Sequence, residues 1–348
     1  MIKRRFSKPI NVGVVTVGGT APVIVQSMTN TDTRDAPATI NQITQLVEYG
    51  CEIVRIAVPD TEAAQALISI KKDSSIPIIA DVHFDYRLAL ASIEIGVDQV
   101  RINPGNIGDD DRVKAVVDAA KGRSIPIRIG VNAGSLPKDA DPKKSRVDQM
   151  VNAALKEVRL LENNGFENIE ISCKAFDVPT TVEANRRIAQ MVPYPLHLGI
   201  TEAGLPRSGS VRTAVGLGIL LYEGIGDSMR VSLSGDPVQE LPVAYDILKS
   251  LNLRQRGATL ISCPSCGRAD VDVAALALAV EQHLFKMTKV VTVAVMGCEV
   301  NGPGEARDAD VGIACGKGRG AIFRKGEIVG TVEEKNYLEA LLSEVEKV

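Results

Sequence analysis

The chain has 348 residues, of which 45% are hydrophobic and 24% charged, and its formal net charge is −3. This composition is typical of a soluble globular protein and too apolar for a disordered one, and the length suggests two domains or one large barrel with an appendage. The acidic balance and the 3% aromatic content, with no Trp, argue against a protein dominated by nucleic-acid binding. The sequence shows neither an apolar run long enough to cross a bilayer nor a secretion signal, so we expect a cytoplasmic protein with reduced cysteines.

A hairpin over 10–21 is predicted to lead into a series of eight strand–helix units. The strands are predicted at 23–28, 52–58, 77–82, 99–103, 126–131, 169–174, 195–201 and 228–234. The helices are predicted at 39–49, 61–70, 86–95, 111–120, 146–163, 181–191, 212–222 and 236–248. Strands that are apolar almost throughout and separated by helices indicate a parallel sheet covered by helices. Eight units, with no Gly-x-Gly-x-x-Gly after the first strand, favour a (β/α)8 TIM barrel over an open doubly wound sheet.

The pattern changes near residues 252–257. Strands are then predicted at 259–262, 290–296, 311–314, 320–324 and 327–329, with helices at 271–288 and 334–347. We therefore predict an α/β fold class, with a TIM-barrel, substrate-binding domain over 1–252 followed by a smaller α+β domain over 258–348.

Five basic residues interrupt or end the apolar strands: Arg55, Arg101, Arg128, Lys174 and Arg230. Residues i and i+2 of a strand share a face, so each arginine shares its inner face with a small or polar residue. This leaves room at the carboxyl-terminal mouth, where barrel active sites form. Two carboxylates, Asp81 and Glu202, are also predicted at the mouth, so that three of the five positive charges remain uncompensated. Burying unpaired charge is costly, so we infer an anionic ligand, a diphosphate or bisphosphate. The alternative is pairing with structural carboxylates such as Glu52, Asp98 and Glu170.

Two side chains near the predicted mouth, Glu202 and His83, are candidates for proton transfer. Glu202 follows the seventh strand beside the cations, and either proton transfer or a role as counter-ion fits its position. His83 is a second candidate, as proton donor or phosphate contact. His197 lies within a strand, where histidine is more often a core residue.

A Cys-x-x-Cys motif, Cys263 and Cys266, follows the first strand of the smaller domain, and Cys298 comes 32 residues later. Three interpretations compete. A structural zinc site requires four closed ligands, and a redox disulfide usually follows a thioredoxin-like start that is absent here. An iron–sulfur cluster held by three cysteines, with Glu305 or Glu299 as a weaker fourth ligand, fits the spacing best, with zinc second.

Four segments together resemble a known family: 26–31 (QSMTNT), 100–105 (VRINPG), 261–268 (ISCPSCGR) and 296–305 (MGCEVNGPGE). The last two are highly specific in combination. With them, the chain resembles the 4-hydroxy-3-methylbut-2-enyl diphosphate synthase family of the non-mevalonate isoprenoid pathway, in its two-domain bacterial form. The resemblance extends over essentially the whole length.

The resemblance implies a TIM barrel, a smaller [4Fe–4S] cluster domain and a role for each candidate residue. The cluster ligands would be Cys263, Cys266, Cys298 and Glu305. The diphosphate would be bound by Arg55, Arg101, Arg128, Lys174 and Arg230. Glu202 corresponds to a carboxylate needed for catalysis. The family forms homodimers in which one subunit's cluster domain closes over the other subunit's barrel mouth.

The implied reaction is the reductive ring opening and dehydroxylation of 2-C-methyl-D-erythritol 2,4-cyclodiphosphate to (E)-4-hydroxy-3-methylbut-2-enyl diphosphate. Two electrons pass one at a time through the [4Fe–4S] cluster from flavodoxin or ferredoxin. One alternative is a barrel lyase or aldolase that acts on a phosphorylated sugar, with Lys174 as Schiff-base amine and zinc in the small domain. Another is a zinc-bearing nucleic-acid-binding protein, which the acidic balance disfavours.

Overall fold

A computed structural model describes residues 2–103, 110–136, 141–266, 269, 271–285, 287–298 and 306–348 of the chain. The protein divides into two compact units, Met1–Arg254 and Gln255–Val348. Among the helices of the described residues, none has the length and apolar character needed to span a membrane.

Eight parallel strands form the sheet of the first unit. They are β3 (Ile24–Met28), β4 (Ile53–Ala57), β5 (Ile78–Asp81), β6 (Gln99–Ile102), β7 (Ile127–Asn132), β8 (Ile169–Lys174), β9 (His197–Leu198) and β10 (Ser228–Met229). Their order is β8-β7-β6-β5-β4-β3-β10-β9, and a parallel bridge between Ile171 and Leu196 joins the two ends of this row. The predicted barrel is thereby confirmed, and the open doubly wound sheet is wrong.

An antiparallel hairpin precedes the barrel, as expected from the sequence. It consists of β1 (Ile10–Val12) and β2 (Val15–Val17). Its buried residues Ile10, Val12 and Val17 pack against Ile24, Ile53 and Ile79, which lie near the starts of three barrel strands. The hairpin therefore covers the amino-terminal end of the barrel and leaves the carboxyl-terminal end for a site.

Among the described residues of the first unit, eight helices surround the barrel: α1 (Ala36–Glu48), α2 (Thr61–Asp73), α3 (Tyr86–Ile95), α4 (Asp110–Gly122), α5 (Arg146–Asn163), α6 (Val178–Met191), α7 (Pro206–Tyr222) and α8 (Glu240–Ser250). Four of them begin at an aspartate whose side chain accepts a hydrogen bond from a backbone N–H of the first turn: Asp35, Asp60, Asp85 and Asp177. Such caps contribute about 1 kcal/mol each and fix where the loops at the barrel mouth end.

The last two barrel strands are shorter than predicted. The expected strands 195–201 and 228–234 are reduced to His197–Leu198 and Ser228–Met229. The apolar runs extend further because Ile200 and Val231 are fully buried without belonging to the strand ladder. The helices after them also differ: α7 begins earlier, at Pro206, and a short 3₁₀ turn (Pro237–Gln239) precedes α8.

The second unit is a five-stranded sheet with helices, as the sequence predicted. The strands β11 (Ala258–Ser262), β12 (Val291–Met296), β13 (Val311–Ala314), β14 (Arg319–Arg324) and β15 (Glu327–Glu333) follow one another in this order. The first three strands are parallel and the last two pair antiparallel. Helices α9 (Val273–Leu284) and α10 (Tyr337–Lys347) share one core with the sheet. Because β11 and β12 are parallel neighbours, their carboxyl ends, and the residues that follow, lie at the same edge.

A buried carboxylate, Asp227, fastens the amino-terminal segment to the barrel. It accepts hydrogen bonds from the backbone N–H of Leu196 (2.8 Å), Ser7 Oγ (2.8 Å) and Arg4 Nη2 (3.1 Å), and it is 2% exposed. We expect Asp227→Ala to lower the free energy of unfolding by about 3 kcal/mol, since it leaves buried donors without an acceptor. Lys8→Ala, which removes only the exposed pair with Glu167, should cost less than about 1 kcal/mol. Equal losses in urea unfolding followed by circular dichroism would contradict this.

Candidate functional site

The five predicted cations lie together inside the barrel. Arg55 is in β4, Arg101 in β6 and Arg128 in β7, whereas Lys174 ends β8 and Arg230 follows β10 directly. The charges of all four arginines act on Lys174, which places the five groups in one electrostatic neighbourhood. The side chains of Arg55 and Arg230 are still 17% and 16% exposed. The site is therefore strongly positive and open on one side.

Asp81, at the end of β5, is the shared counter-ion of two arginines. Its Oδ1 lies 3.1 Å from Arg101 Nη1, and its Oδ2 lies 3.6 Å from Arg55 Nε. Burial by itself raises the pKa of Asp81, but Arg55, a hydrogen bond from His83 and Arg101 hold that pKa well below its usual range. Asp81 is therefore ionised, and the half-exposed His83 lies beside it, with Nε2 3.5 Å from Asp81 Oδ1.

Glu240, in the first turn of α8, is a counter-ion that the sequence analysis missed. Its two oxygens accept hydrogen bonds from Arg230 Nη2 (2.9 Å) and Nε (3.0 Å), a bidentate pair. Ser27 Oγ also donates to it, at 3.0 Å, and Glu240 is 1% exposed. A glutamate in the first turn of a helix is an ordinary dipole partner, so nothing in the sequence distinguished this one.

Arg128 forms a deeper layer than the other cations. Its Nε donates to Glu170 Oε2 at 2.8 Å and its Nη2 to Gln26 Oε1 at 2.7 Å, and the two charged side chains are almost fully buried. This is the pairing with Glu170 that stood as the alternative to ligand binding. The other two carboxylates of that alternative pair elsewhere, Glu52 with Arg254 and Asp98 with Lys71.

These pairings change the charge count of the mouth. The carboxylates of Asp81, Glu170 and Glu240 stand against five cations, which leaves two positive charges when Lys174 is protonated, rather than the three expected. Within the described residues, Lys174 has no carboxylate partner. Burial and the four arginines lower the pKa of the Lys174 ammonium well below its usual value. Lys174 is therefore the point where a bound anion would relieve the most unfavourable charge.

Two glycines on the inner face make room for the cations. A Cβ added at Gly130 would lie 2.2 Å from Arg101 Nε, and one added at Gly199 would lie 2.7 Å from Lys174 Nζ. Both distances are far below van der Waals contact. Gly130, which shares its inner face with Arg128, thus makes room for the side chain of Arg101 on the neighbouring strand β6.

The segment 26–28 of β3 organises the arginines, which the sequence analysis did not foresee. Gln26 accepts from Arg128, Ser27 donates to the Glu240 carboxylate, and Met28 Sδ accepts from Arg55 Nε (3.2 Å) and Arg230 Nη1 (3.4 Å). Three consecutive residues therefore reach three different arginines or their counter-ion. All three belong to the segment 26–31, one of the four segments on which the family resemblance rests.

Glu202 lies in the loop after β9, exposed, with a backbone φ of +53°. Among the described residues, no hydrogen bond or ion pair connects its carboxylate with the five cations. His197 is 1% exposed, its Nδ1 lies 2.8 Å from Ser228 Oγ, and burial, with Lys174 and Arg128 nearby, lowers its pKa well below the usual value. The buried, neutral His197 thus fits the core role, and Glu202 stays a candidate for proton transfer.

The three motif cysteines lie at one edge of the second unit's sheet. Cys263 follows β11 directly, and its N–H donates to the carbonyl of Val295 in β12. Cys298 comes two residues after the end of β12, and Cys266 lies in the loop after Cys263. Within the described residues, no three Cys, His, Asp or Glu side chains are grouped to hold a metal ion. Glu305, predicted as the fourth ligand, and Glu299 lie outside the described residues.

Accessibility separates the six thiols into two sets. Cys263 and Cys298 are half-buried and Cys266 is exposed, whereas Cys51, Cys173 and Cys315 are buried. Burial raises the pKa of each of these last three thiols to about 12. Only thiolates ligate metals, so the motif cysteines are the chemically suitable set.

Comparison with known proteins agrees with both units. Residues 7–245 match the GcpE TIM-barrel domain, and residues 259–347 match the GcpE protein C-terminal domain. A Dehalococcoides mccartyi protein named 4-hydroxy-3-methylbut-2-en-1-yl diphosphate synthase (flavodoxin) is 60% identical over 345 residues, 99% of each chain. A Geobacter sulfurreducens protein of the same name is 58% identical over 344 residues, 98% of each chain.

Solved structures of other enzymes share the barrel fold at low sequence identity. The dihydropteroate synthase of Xanthomonas albilineans is 14% identical with a TM-score of 0.53 and covers 71% of this chain and 97% of its own. That of Yersinia pestis is 10% identical with a TM-score of 0.52, covering 71% and 99%. These similarities concern the fold alone. The matches to both GcpE domains and the relatives at about 60% identity, by contrast, span nearly the whole chain, which therefore belongs to the GcpE family.

Proposed function

We propose that this chain converts 2-C-methyl-D-erythritol 2,4-cyclodiphosphate to (E)-4-hydroxy-3-methylbut-2-enyl diphosphate. Two electrons enter, the ring C–O bond to phosphate breaks, and one hydroxyl leaves as water after protonation. The observation that carries the proposal is the barrel mouth, where five cations face three carboxylates and Lys174 lacks a partner among the described residues. The names of the 60% and 58% identical relatives support the same reaction.

The chain's own residues would bind and orient the cyclic diphosphate. Guanidinium groups match phosphate oxygens in a bidentate manner, and Arg55, Arg101 and Arg230 are held in place by Asp81, Glu240 and Met28. Lys174 would add the charge that the protein itself leaves uncompensated, and Arg128 would support this layer from below. Glu202, in the loop above, is the group we assign to proton delivery.

Cys263, Cys266 and Cys298, with Glu305, would hold a [4Fe–4S] cluster. The donor set fits, because three accessible thiols follow two adjacent parallel strands while the remaining thiols are buried. When bound, the cluster supplies the two electrons one at a time.

The remaining assignments follow from the relatives and the resemblance. We propose flavodoxin as electron donor, because the names of the relatives include it. We also propose a cytoplasmic homodimer. The lowered pKa of Lys174 would also suit a Schiff-base lyase, but the relatives' names do not favour that function.

The test is metal analysis and turnover after strictly anaerobic purification. We expect about four iron and four acid-labile sulfide per chain, and product formation from the cyclic diphosphate with reduced flavodoxin. One zinc without sulfide, together with borohydride trapping of substrate on Lys174, would establish the lyase instead.

The cysteine assignment predicts that two alanine variants behave differently. Cys298→Ala should lose iron and turnover, because an accessible candidate ligand is removed. Cys315→Ala, at a buried thiol whose pKa is raised to about 12, should keep its iron content. Iron and sulfide analysis of both purified proteins checks this, and full iron loading of Cys298→Ala would contradict it.

Replacing an inner-face glycine by alanine should weaken anion binding although every charged group is retained. Gly130→Ala should displace the Arg101 guanidinium and weaken pyrophosphate binding about 10-fold or more, as expected for one charge-assisted contact. Gly134→Ala is the matched control, since a Cβ there meets nothing within 4 Å. Titration calorimetry measures both dissociation constants, and unchanged affinity in Gly130→Ala would argue against Arg101 as a ligand contact.

The lowered pKa of Lys174 predicts that the protein takes up a proton when it binds an anion. Its pKa is low in the free protein, and a bound phosphate raises it again. Between these two pKa values binding therefore adds a proton, and affinity falls as pH rises through the bound-state pKa. Calorimetry with pyrophosphate in two buffers of different ionisation enthalpy measures the uptake.

Lys174→Arg is the control for this experiment. Arginine stays charged throughout, so the variant retains the titration of pyrophosphate itself but not that of residue 174. The difference between the two proteins reports Lys174. Equal proton uptake by both would show that Lys174 is already charged in the free protein.

A further inference from the structure

We propose that Arg212 is a positioning residue that fixes the backbone of the loop carrying Glu202, the residue assigned to proton delivery. Arg212 lies in α7, ten residues after Glu202, and is half-buried. The inference rests on the proposed function, in which Glu202 delivers a proton.

The backbone at Glu202 is strained in a way that calls for support. Its φ of +53° lies in the left-handed region, which costs a non-glycine residue energy. The same loop uses glycine at 204, where φ is +111°. A glutamate persists in this conformation only where the surrounding contacts hold the backbone there.

Arg212 contacts the residue directly after Glu202. Its Nη1 donates a hydrogen bond to the carbonyl of Ala203, which is fully buried. The guanidinium also lies over the ring of Phe176, with Cζ 4.4 Å from the ring centroid. A cation held over an aromatic face and bonded to a carbonyl has little freedom, so the loop carbonyl it binds is fixed as well.

Two backbone hydrogen bonds complete the support on either side. The N–H of Thr201 donates to the carbonyl of Ala175 at 3.3 Å, and the N–H of Ser234 donates to that of Gly204 at 2.9 Å. The loop is thus tied to the segments after β8 and β10, which follow Lys174 and Arg230. Arg212 adds a side-chain anchor at the carbonyl of Ala203, the residue that follows Glu202.

This placement makes Arg212 a determinant of rate rather than of substrate affinity. A shift of about 1 Å in a catalytic group can lower the rate about 100-fold. Arg212 is not among the cations that surround Lys174, whose charge is affected by Arg55, Arg230, Arg128 and Arg101. Its loss should therefore lower kcat while leaving diphosphate binding almost unchanged.

The test is a double-mutant cycle in the loaded enzyme. We expect Arg212→Gln to lower kcat about 10-fold or more, with pyrophosphate affinity changed less than about twofold. In the background of Glu202→Gln, the same change should have no further effect, because the residue it positions has lost its function. Arg207→Gln, at an exposed position five residues earlier in α7, is the control and should retain full kcat. Multiplying effects in the double variant would overturn the proposal.

A second measurement does not depend on turnover. Amide hydrogen exchange across residues 201–205 should be faster in Arg212→Gln than in the unaltered protein or in Arg207→Gln. Unchanged exchange would overturn the positioning role. Full activity of Glu202→Gln would overturn it too, while leaving the proposed reaction intact, whereas an unaltered enzyme that is inactive on the cyclic diphosphate would overturn the proposed function itself.

Discussion

Burying positive charge inside an apolar barrel is the constraint on which the site depends. An unpaired buried ion is unstable, so a cation placed on an inner face needs a carboxylate or a ligand. Asp81 serves Arg55 and Arg101, Glu170 serves Arg128, and Glu240 serves Arg230. Because the carboxylates are fewer than the cations, positive charge is left over, and the proposed anionic ligand would balance it. Lys174, whose pKa is lowered by burial and by the four arginines, is the cation that such a ligand would stabilise most.

The same constraint explains residues that carry no charge. Inner-face residues beside a buried cation must be small. A Cβ added at Gly130 or Gly199 would clash with the neighbouring Arg101 or Lys174 side chain, which shows how little space remains. Met28 accepts from two arginines at once without adding a negative charge. A thioether there orients the cations but leaves their charge available, whereas a carboxylate would satisfy them and weaken the attraction for an anion.

The sequence predicted the barrel and its cations because both depend on local pattern. Eight apolar strands alternate with helices, and an arginine inside an apolar strand is visible without a structure. The partners of those arginines were predicted only in part. Asp81 and Glu170 were among the candidate carboxylates, but the sequence did not say which arginine each would pair with, and Glu240, which is 1% exposed, was missed. The sequence also predicted β9 and β10 to be longer than they are. Ile200 and Val231 are buried but lie outside the strand ladder, so they extend the apolar pattern beyond the strands.

The cysteines illustrate how burial sorts residues of one type into different chemistry. Three thiols are enclosed by apolar side chains, where the thiolate is disfavoured and the pKa is raised to about 12. The other three follow β11 and β12 at an edge where the parallel strands end and the chain leaves the sheet. Sequence spacing alone left a cluster, zinc and a disulfide open. Their accessibility is consistent with the sequence-based choice of Cys263, Cys266 and Cys298 as candidate ligands. Three thiolates and one carboxylate suit an iron–sulfur cluster better than a structural zinc site, whose four ligands are usually Cys or His.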